Sequence, residues 1–260
     1  MRDVVKLPQL LVSVRSVHEA DIALAGGAEI LDVKEPSRGS LGMASVDEIS
    51  LIARRLQIVA PAIPLSVAVG ELVDWVGAAD VPALPAGIAF AKMGLSRTRD
   101  RASWLGDWRR VRSEFDRHAS SKLNWVAVAY SDSALAASPD LNDVVAAAIE
   151  TGCAGLLIDT WTKDGRTLLD GIDSTSISGT ANELHEAGLF FAIAGQLTLE
   201  LLPRLRNLPA DILAIRSAGC VKNQRTSEVD RSLVENFRQE MRSVYLDKTS
   251  KQSRPYTTAR

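Results

Sequence analysis

Short apolar runs alternate with longer amphipathic stretches along most of the chain. The runs are continuous rather than alternating between apolar and polar positions, which is typical of strands buried on both faces of a parallel sheet. The stretches between them have the apolar spacing of helices, and several end at a glycine that can adopt a left-handed cap conformation. The predicted strands are 9–14, 29–33, 63–69, 87–92, 124–130, 155–159, 189–194 and 212–216, and the predicted helices include 17–25, 46–59, 101–118, 142–151, 176–186 and 199–207.

Eight strands that alternate with helices over roughly 240 residues are typical of a (β/α)8 barrel. A doubly wound open sheet is the rival fold, but it usually has fewer strands. The chain also has no GxGxxG segment after its first strand and no GxxxxGK[ST] segment, so nucleotide-binding versions of that fold lose support. We therefore predict an α/β protein with a single TIM barrel over residues 1–247, followed by a polar, flexible tail over 248–260.

The composition narrows the classes of partner. The chain has 260 residues, a formal net charge of −2, and a balance of 30 basic and 32 acidic residues that gives no electrostatic reason to expect nucleic acid or an anionic membrane surface. It contains no apolar run of about 18 residues, which a transmembrane helix would need. Its N-terminus lacks the apolar segment of a signal peptide. We predict a cytoplasmic protein without nucleic-acid or membrane partners.

Metal and disulfide chemistry find little support in the sequence. The two cysteines, Cys153 and Cys220, are too few for a disulfide framework or a thiolate metal site. His18, His118 and His185 lie in predicted helices, and His185 has no partner at the spacing of metal ligands. We predict neither a metal site nor a cofactor.

Three lysines stand where an apolar run gives way to a polar or glycine-containing turn: Lys34, Lys92 and Lys163. Active sites of barrels lie at the carboxyl ends of the strands. Asp32 lies two residues before Lys34 and so points to the same side, and Asp159 ends the sixth strand, four residues before Lys163. We predict that two Asp–Lys pairs and Lys92 converge on one rim. A single lysine at a strand end is more often a solvated loop residue, but a desolvated lysine can lose its proton and attack a carbonyl.

The ends of the seventh and eighth strands carry glycine and other small residues. Barrels commonly bind phosphate at this place through backbone N–H groups, and Arg216 would add a bidentate charge. Ordinary turns between strand and helix are the alternative. The loop 36–42 is either a lid that handles phosphate or a flexible turn. The predicted phosphate-binding residues are Gly195, Arg216, Ser217, Ala218 and Gly219.

At these residues the sequence resembles the archaeal and bacterial (5-formylfuran-3-yl)methyl phosphate synthase family of methanofuran biosynthesis. The resemblance spans roughly residues 9–240. Two segments carry most of it, Asp-Val-Lys-Glu-Pro at 32–36 and Asp-Thr-Trp-Thr-Lys-Asp-Gly at 159–165, and they are specific only together. Further matches are Leu-Val-Ser-Val at 11–14, Gly-Ser-Leu-Gly at 39–42, Lys-Met-Gly-Leu at 92–95 and Ile-Arg-Ser-Ala-Gly-Cys at 215–220.

The resemblance implies a class I aldolase-like barrel that works without a cofactor. It implies the condensation of two molecules of glyceraldehyde 3-phosphate into a phosphorylated furan aldehyde, with loss of one phosphate and two waters. Lys34 would form the imine and Lys92 would be the proton-transferring base, while Asp32, Asp159 and Lys163 match the other active-site residues of the family. The later steps need a proton donor, a role open to Asp32 and Asp159.

The chain departs from the family pattern in places. The segment 221–227 lacks the glycine-rich, acidic character of the archaeal members, and Gln196 replaces a small hydroxyl residue. Two other functions stay open, namely a different Schiff-base aldolase acting on phosphorylated sugars and a non-catalytic barrel that binds phosphorylated metabolites. Trp104, Trp108 and Trp161 are candidate contacts between subunits of a homo-oligomer.

Overall fold

The computed structural model describes residues 7–252. Eight parallel strands pair in chain order, and β8 pairs with β1, so that the sheet closes into a barrel. The predicted (β/α)8 fold is therefore confirmed. The strands are β1 (Gln9–Val14), β2 (Ile30–Val33), β3 (Leu65–Glu71), β4 (Phe90–Gly94), β5 (Asn124–Tyr130), β6 (Gly155–Asp159), β7 (Phe190–Ile193) and β8 (Ile212–Ile215).

Helices surround the barrel. They are α1 (Val17–Ala25), α2 (Val46–Val59), α3 (Leu72–Trp75), α4 (Trp104–His118), α5 (Ser133–Ala136), α6 (Leu141–Glu150), α7 (Leu168–Gly171), α8 (Ser174–Glu186), α9 (Leu202–Leu205) and α10 (Arg231–Gln252). Four of them (α3, α5, α7 and α9) are only four residues long. The predicted helix 199–207 is instead a 3-10 turn, Leu199–Leu201, that leads into α9.

The last helix changes the predicted boundary at the C-terminus. α10 was not among the predicted helices, and it continues through residues 248–252, which we predicted to begin the tail. A polar end can continue a helix that has formed upstream, because adding a residue costs far less than starting a helix. Residues 253–260 of the predicted tail lie outside the described residues.

Most of the strand residues are buried on both sides of the sheet. One set of side chains fills the barrel interior, including Leu11, Val126, Leu157 and Ala192. The residues between them in sequence, such as Leu10 and Val12 on β1, point outward and pack against the helices. This double burial explains why the strands are continuous apolar runs rather than alternating ones. It also means that a polar side chain at an inward position is an exception that needs a reason.

Within residues 7–252, no helix is long and apolar enough to span a lipid bilayer. The tryptophans predicted at subunit contacts differ in exposure. Trp108 is fully buried in the layer between barrel and helices, so the prediction that it lies at a subunit contact is wrong. Trp104 is partly buried against that layer, and Trp161 is 37% exposed. The homo-oligomer itself stays a prediction.

Candidate active site

A polar cleft with about 550 Å³ of open space lies at the carboxyl end of the barrel. Because the carboxyl ends of all eight strands meet there, side chains far apart in sequence share its wall. All the predicted catalytic residues line it: Asp32, Lys34, Lys92, Asp159 and Lys163. The sequence therefore predicted correctly that these side chains converge.

The carboxylate partner of one lysine differs from the prediction. Asp32 pairs with Lys92, whose Nζ lies 2.7 Å from Oδ1 of Asp32, and not with Lys34. Inward side chains of alternate strands share a layer of a barrel, so Lys92 on β4 reaches Asp32 on β2 across the interior. Lys34 lies two residues further on, about 6.6 Å along the strand direction. The angle of approach of the Lys92 ammonium group does not suit a hydrogen bond to Oδ1, so the contact is an ion pair and Oδ1 accepts no hydrogen bond.

The second pair is as predicted. Lys163 Nζ lies 2.9 Å from Oδ1 of Asp159 and also donates to the carbonyl and hydroxyl oxygens of Thr160, at 2.5 and 2.9 Å. Asp159 Oδ1 accepts a further hydrogen bond from the Thr160 backbone N–H at 2.8 Å, and Oδ2 accepts one from the Ser40 hydroxyl at 3.0 Å. The carboxylate is thus fully surrounded by donors.

Both aspartates are held ionised. Burial opposes the charge of Asp159, but the Lys163 and Lys34 ammonium groups and the hydrogen bonds outweigh burial and lower its pKa to about 2. Burial likewise opposes the charge of Asp32, yet Lys92, Lys34 and the Ser13 hydroxyl, 3.0 Å from Oδ2, lower its pKa. In the ionised state each carboxylate accepts a proton before it can donate one. The role of Asp32 and Asp159 as proton donors therefore stays a prediction.

Lys34 is the lysine whose charge is least supported. Its side chain is only 9% exposed, and among the described side chains no carboxylate forms an ion pair with it. Its pKa is lowered to about 8, chiefly by burial; Asp159 and Asp32 oppose this shift, and the Lys163 and Lys92 charges add to it. About a tenth of Lys34 is therefore a neutral amine at pH 7, far more than for an exposed lysine. This is the state that attacks a carbonyl.

The loop after β2 is fixed over the cleft. Ser40 is buried, and its hydroxyl oxygen lies 3.0 Å from both Asp159 Oδ2 and the Thr160 carbonyl oxygen, so that its one hydrogen is shared between the two acceptors. The Leu41 carbonyl accepts a hydrogen bond from the Gly70 N–H at 2.9 Å. These contacts tie the loop to β6 and β3, and both alternatives for the loop, a lid and a flexible turn, stay open. A role in phosphate handling stays a prediction.

Arg216 does not have the free donors that a phosphate ligand needs. Its guanidinium donates to both carboxylate oxygens of Glu19, at 2.5 and 3.1 Å. It also donates to the carbonyl oxygens of Ser13, Arg225 and Ser227, at 2.8–2.9 Å. These contacts use all five of its N–H groups. The predicted bidentate contact of Arg216 with phosphate is therefore corrected: this residue holds the backbone around the cleft.

The other predicted phosphate-binding residues divide into two groups. Gly195 and Ser217 line the cleft. Ala218 lines an adjoining pocket, and Gly219 is buried against Val234 of α10, away from the cleft wall. Gly195 has φ of +98°, and a Cβ there would lie 3.0 Å from the Thr160 side chain, so a larger residue would be both strained and crowded. Phosphate binding at Gly195 and Ser217 stays a prediction.

The sequence did not reveal four polar residues of the site: Ser13, Ser40, Thr160 and Arg225. A lone hydroxyl residue at an inward position of an apolar strand was an available signal for Ser13. Ser40 and Thr160 belong to the segments 36–42 and 159–165, but the sequence pattern did not mark these two residues within them. Arg225 stands in an irregular polar loop, where no periodicity could mark it. Within residues 7–252, no group of three or more His, Cys, Asp or Glu side chains is placed to hold a metal ion.

Comparison with known proteins finds a family that matches most of the chain. The profile of the 4-HFC-P synthase family matches residues 10–238. Three similar proteins are each named (5-formylfuran-3-yl)methyl phosphate synthase. The one from Methanococcus maripaludis is 31% identical, with 88% of this chain and 97% of the relative covered. Those from Methanopyrus kandleri and Methanosarcina acetivorans are 33% and 34% identical, covering 86% and 88% of this chain and 94% and 97% of their own.

Solved structures resemble the chain in fold. The 3-hexulose-6-phosphate synthase from Salmonella typhimurium superposes with a TM-score of 0.55 at 14% identity, over 92% of this chain and 99% of that one. A thiamine phosphate pyrophosphorylase from Pyrococcus furiosus gives a TM-score of 0.54 at 15% identity, over 92% and 97%. At such low identity these likenesses support the barrel and nothing about the chemistry.

Proposed function

The chain belongs to the 4-HFC-P synthase family, and from this premise we propose that it is a cytoplasmic lyase acting on triose phosphate. Two molecules of glyceraldehyde 3-phosphate would be condensed into (5-formylfuran-3-yl)methyl phosphate, with release of one phosphate and two waters. The product would serve the synthesis of a methanofuran-type cofactor. No cofactor of its own is required by this proposal.

The observation that carries the proposal is the state of Lys34. It is a buried lysine with a pKa of about 8, without a carboxylate of its own, between two Lys–Asp ion pairs. An amine in this state adds to an aldehyde or ketone carbon, and loss of the carbonyl oxygen as water leaves an imine. The imine withdraws electrons, so a proton on the neighbouring carbon becomes acidic.

The two ion pairs suggest how protons are handled. Lys92 and Lys163 each lie beside a carboxylate, and an ammonium group at either place can give its proton to a leaving oxygen, which then departs as water or phosphate while the lysine becomes a neutral amine. A lysine that has given its proton away can then act as the base for the next carbon. We assign to Lys92 the proton transfer at the carbon next to the imine, and to Lys163 the support of the later eliminations.

The test is incubation with glyceraldehyde 3-phosphate as the sole substrate. We expect an ultraviolet absorption of a conjugated furan aldehyde, a product of the corresponding mass, and one inorganic phosphate for each product formed. Reversible cleavage of phosphorylated sugars without a furan would favour another Schiff-base aldolase instead. Binding without any reaction would favour a non-catalytic barrel.

Borohydride trapping tests the role of Lys34 directly. Reduction in the presence of substrate is expected to attach the substrate to Lys34, as located by peptide mass spectrometry, and K34R is expected to abolish the adduct. The exposed Lys122 provides the control, since K122R is expected to be trapped as the wild type. K92M is expected to retain the adduct but lose furan formation. Loss of trapping in K92M alone would contradict the assigned roles.

A further inference from the structure

We propose that Arg225, in the loop after β8, binds the phosphate group of the substrate and makes the cleft selective for phosphorylated aldehydes. The inference deepens the proposed function and rests on it for the identity of the substrate. Arg225 is half-buried and lines the same cleft as Lys34 and Lys163. Neither the strand pattern nor the family resemblance had pointed to it.

The two arginines at this cleft differ in how their donors are used. Arg216 has every N–H group donated to the protein, as described above. The Arg225 guanidinium makes one hydrogen bond, from Nη2 to the Gly39 carbonyl at 2.7 Å, and no ion pair with any described carboxylate. Four of its five N–H groups are therefore without a partner among the described residues. Phosphate oxygens accept such donors in pairs.

The backbone that carries Arg225 is held in place. Arg216 donates to the carbonyl oxygens of Arg225 and Ser227, and Arg15 donates to the carbonyl of Thr226 between them, all at 2.8 Å. Both of these arginines bind the same carboxylate, that of Glu19 on α1. The carbonyl groups of residues 225–227 are thus all held by arginines that bind Glu19. A binding group on a fixed loop loses less conformational freedom when its ligand arrives.

The charges of the cleft favour a dianion near Arg225. Lys92 is matched by Asp32, Lys163 by Asp159 and Arg216 by Glu19. Among the cations that line the described cleft, Lys34 and Arg225 have no carboxylate of their own. If Lys34 is joined to the carbonyl carbon, Arg225 is the cation left for the phosphate at the other end of the same small molecule. The loop after β2 contacts both Arg225 and the Asp159–Lys163 pair, because Arg225 donates to the Gly39 carbonyl and Ser40 donates to Asp159.

Calorimetric titration with glycerol 3-phosphate tests the inference without relying on any reaction. This compound presents a phosphate monoester but no carbonyl for Lys34. We expect R225M to bind it about tenfold to hundredfold more weakly than the wild type, as loss of a charge-assisted contact implies. R225K is expected to recover part of the affinity. K222M is the control, since Lys222 is an exposed cation of the same loop that does not line the cleft; it is expected to bind as the wild type.

Selectivity gives a second measurement. The ratio of borohydride trapping with glyceraldehyde 3-phosphate to trapping with unphosphorylated glyceraldehyde is expected to fall at least tenfold in R225M and to be unchanged in K222M. Equal affinities of wild type and R225M for glycerol 3-phosphate, or no binding by the wild type at millimolar concentrations, would overturn the inference. A protein that binds glycerol 3-phosphate through Arg225 but forms no furan would instead refute the proposed function alone.

Discussion

Lys34, Lys92 and Lys163 have similar side chains but different surroundings, and the differences separate their chemistry. Lys92 and Lys163 each lie within 3 Å of a buried carboxylate. Lys34 is surrounded by the same charges at longer range and is held by none of them. Burial therefore decides its protonation, and its pKa falls from 10.5 to about 8. The nucleophile that we propose is thus the lysine that the protein leaves without a direct anion.

This difference predicts the pH dependence of imine formation. Below pH 8 the fraction of neutral Lys34 falls about tenfold for each pH unit, so the rate of borohydride trapping at low substrate concentration is expected to rise with pH. Above a pH of about 8 it is expected to level off. The measurement is the trapping rate between pH 6 and about 10. A rate that continues to rise towards the usual lysine pKa of about 10.4 would show that Lys34 is not desolvated.

The same pKa predicts a cost in stability. A lysine whose pKa is lowered on folding destabilises the native state below the folded pKa, and the cost is relieved as pH rises from the folded value to the unfolded one. A shift from 10.5 to about 8 corresponds to about 3 kcal/mol. K34M is therefore expected to raise the free energy of unfolding at pH 7 by up to about 3 kcal/mol while abolishing trapping.

The stability gain should shrink with pH, and urea unfolding at pH 7 and near pH 10 measures it. K122M serves as the control, because Lys122 is exposed and is expected to leave stability nearly unchanged at both pH values. If K34M instead destabilises the protein at neutral pH, the interactions of the Lys34 ammonium group stabilise the native state by more than its burial destabilises it.

At the residue scale, spacing predicts which side chains meet but not which of them pair. Asp32 and Lys34 point to the same side of one strand, as the sequence suggests, yet the partner of Asp32 comes from β4. The choice depends on the layers of the barrel interior, and these depend on the stagger of strands that are not adjacent in the sheet. Arg225 could not be predicted, because its position follows from hydrogen bonds of Arg15 and Arg216 to an irregular loop.

Helix α1 contributes to the site through one buried carboxylate. Glu19 is 2% exposed and joins Arg15 and Arg216, and these in turn hold the loop 225–227. Burial opposes its charge, but the hydrogen bonds from both arginines outweigh burial and lower its pKa. Removing the carboxylate would leave the Arg216 charge buried without its partner. The helix therefore links the fold of the barrel to the position of Arg225.

Glu19→Ala is accordingly expected to lower the free energy of unfolding by about 3–5 kcal/mol, as for other broken buried pairs. Asp21 offers a matched control on the same helix, since its ion pair with Arg55 at 3.0 Å is between exposed side chains. Asp21→Ala is expected to cost at most about 1 kcal/mol. Denaturant unfolding of the two variants makes the comparison. Similar losses in both would show that the buried carboxylate contributes no more to stability than the exposed one.

At the element scale, the strands and the longer helices up to α8 were predicted, whereas three four-residue helices and the C-terminal helix α10 were missed. The eight strands were all found, with ends shifted by a few residues at most, because double burial gives each strand a distinct apolar run. The four-residue helices α3, α5 and α7 have too few positions to show a period, while α9 lies within the predicted helix 199–207. The ends of β3 and β4 moved beyond the predicted limits, since pairing with a neighbouring strand, and not composition, decides where a strand stops.

At the scale of the whole molecule, closure of the sheet turns a linear pattern into one site. Asp32 and Asp159 are 127 residues apart in sequence, yet the loop after β2 connects their surroundings through the hydrogen bond of Ser40 to Asp159. The number of strands predicted the closure, and the closure brought the five charged residues together. What the strand count could not predict is how far each loop folds back over the rim.

The surface of the barrel bears on the predicted homo-oligomer. Three of the eight large hydrophobic side chains exposed in the described part of the chain lie on α2, with Leu51 46%, Ile58 78% and Val59 42% exposed. Leu51 and Ile58 are seven residues apart and so share one face of the helix. Clustered exposed apolar side chains are typical of association sites, and a second copy of the chain is the simplest partner for them.

Light scattering tests this expectation, with a mass that is a multiple of 28.0 kDa expected for the wild type. Ile58→Lys replaces the most exposed of these apolar side chains by a charge and is expected to reduce the mass to that of one chain, because an unpaired charge is costly in an apolar contact. Leu135, 50% exposed on α5, is the control, and Leu135→Lys is expected to keep the mass of the wild type. A wild-type mass of 28.0 kDa would refute the oligomer, while an oligomer unaffected by Ile58→Lys would place the contact on another face of the barrel.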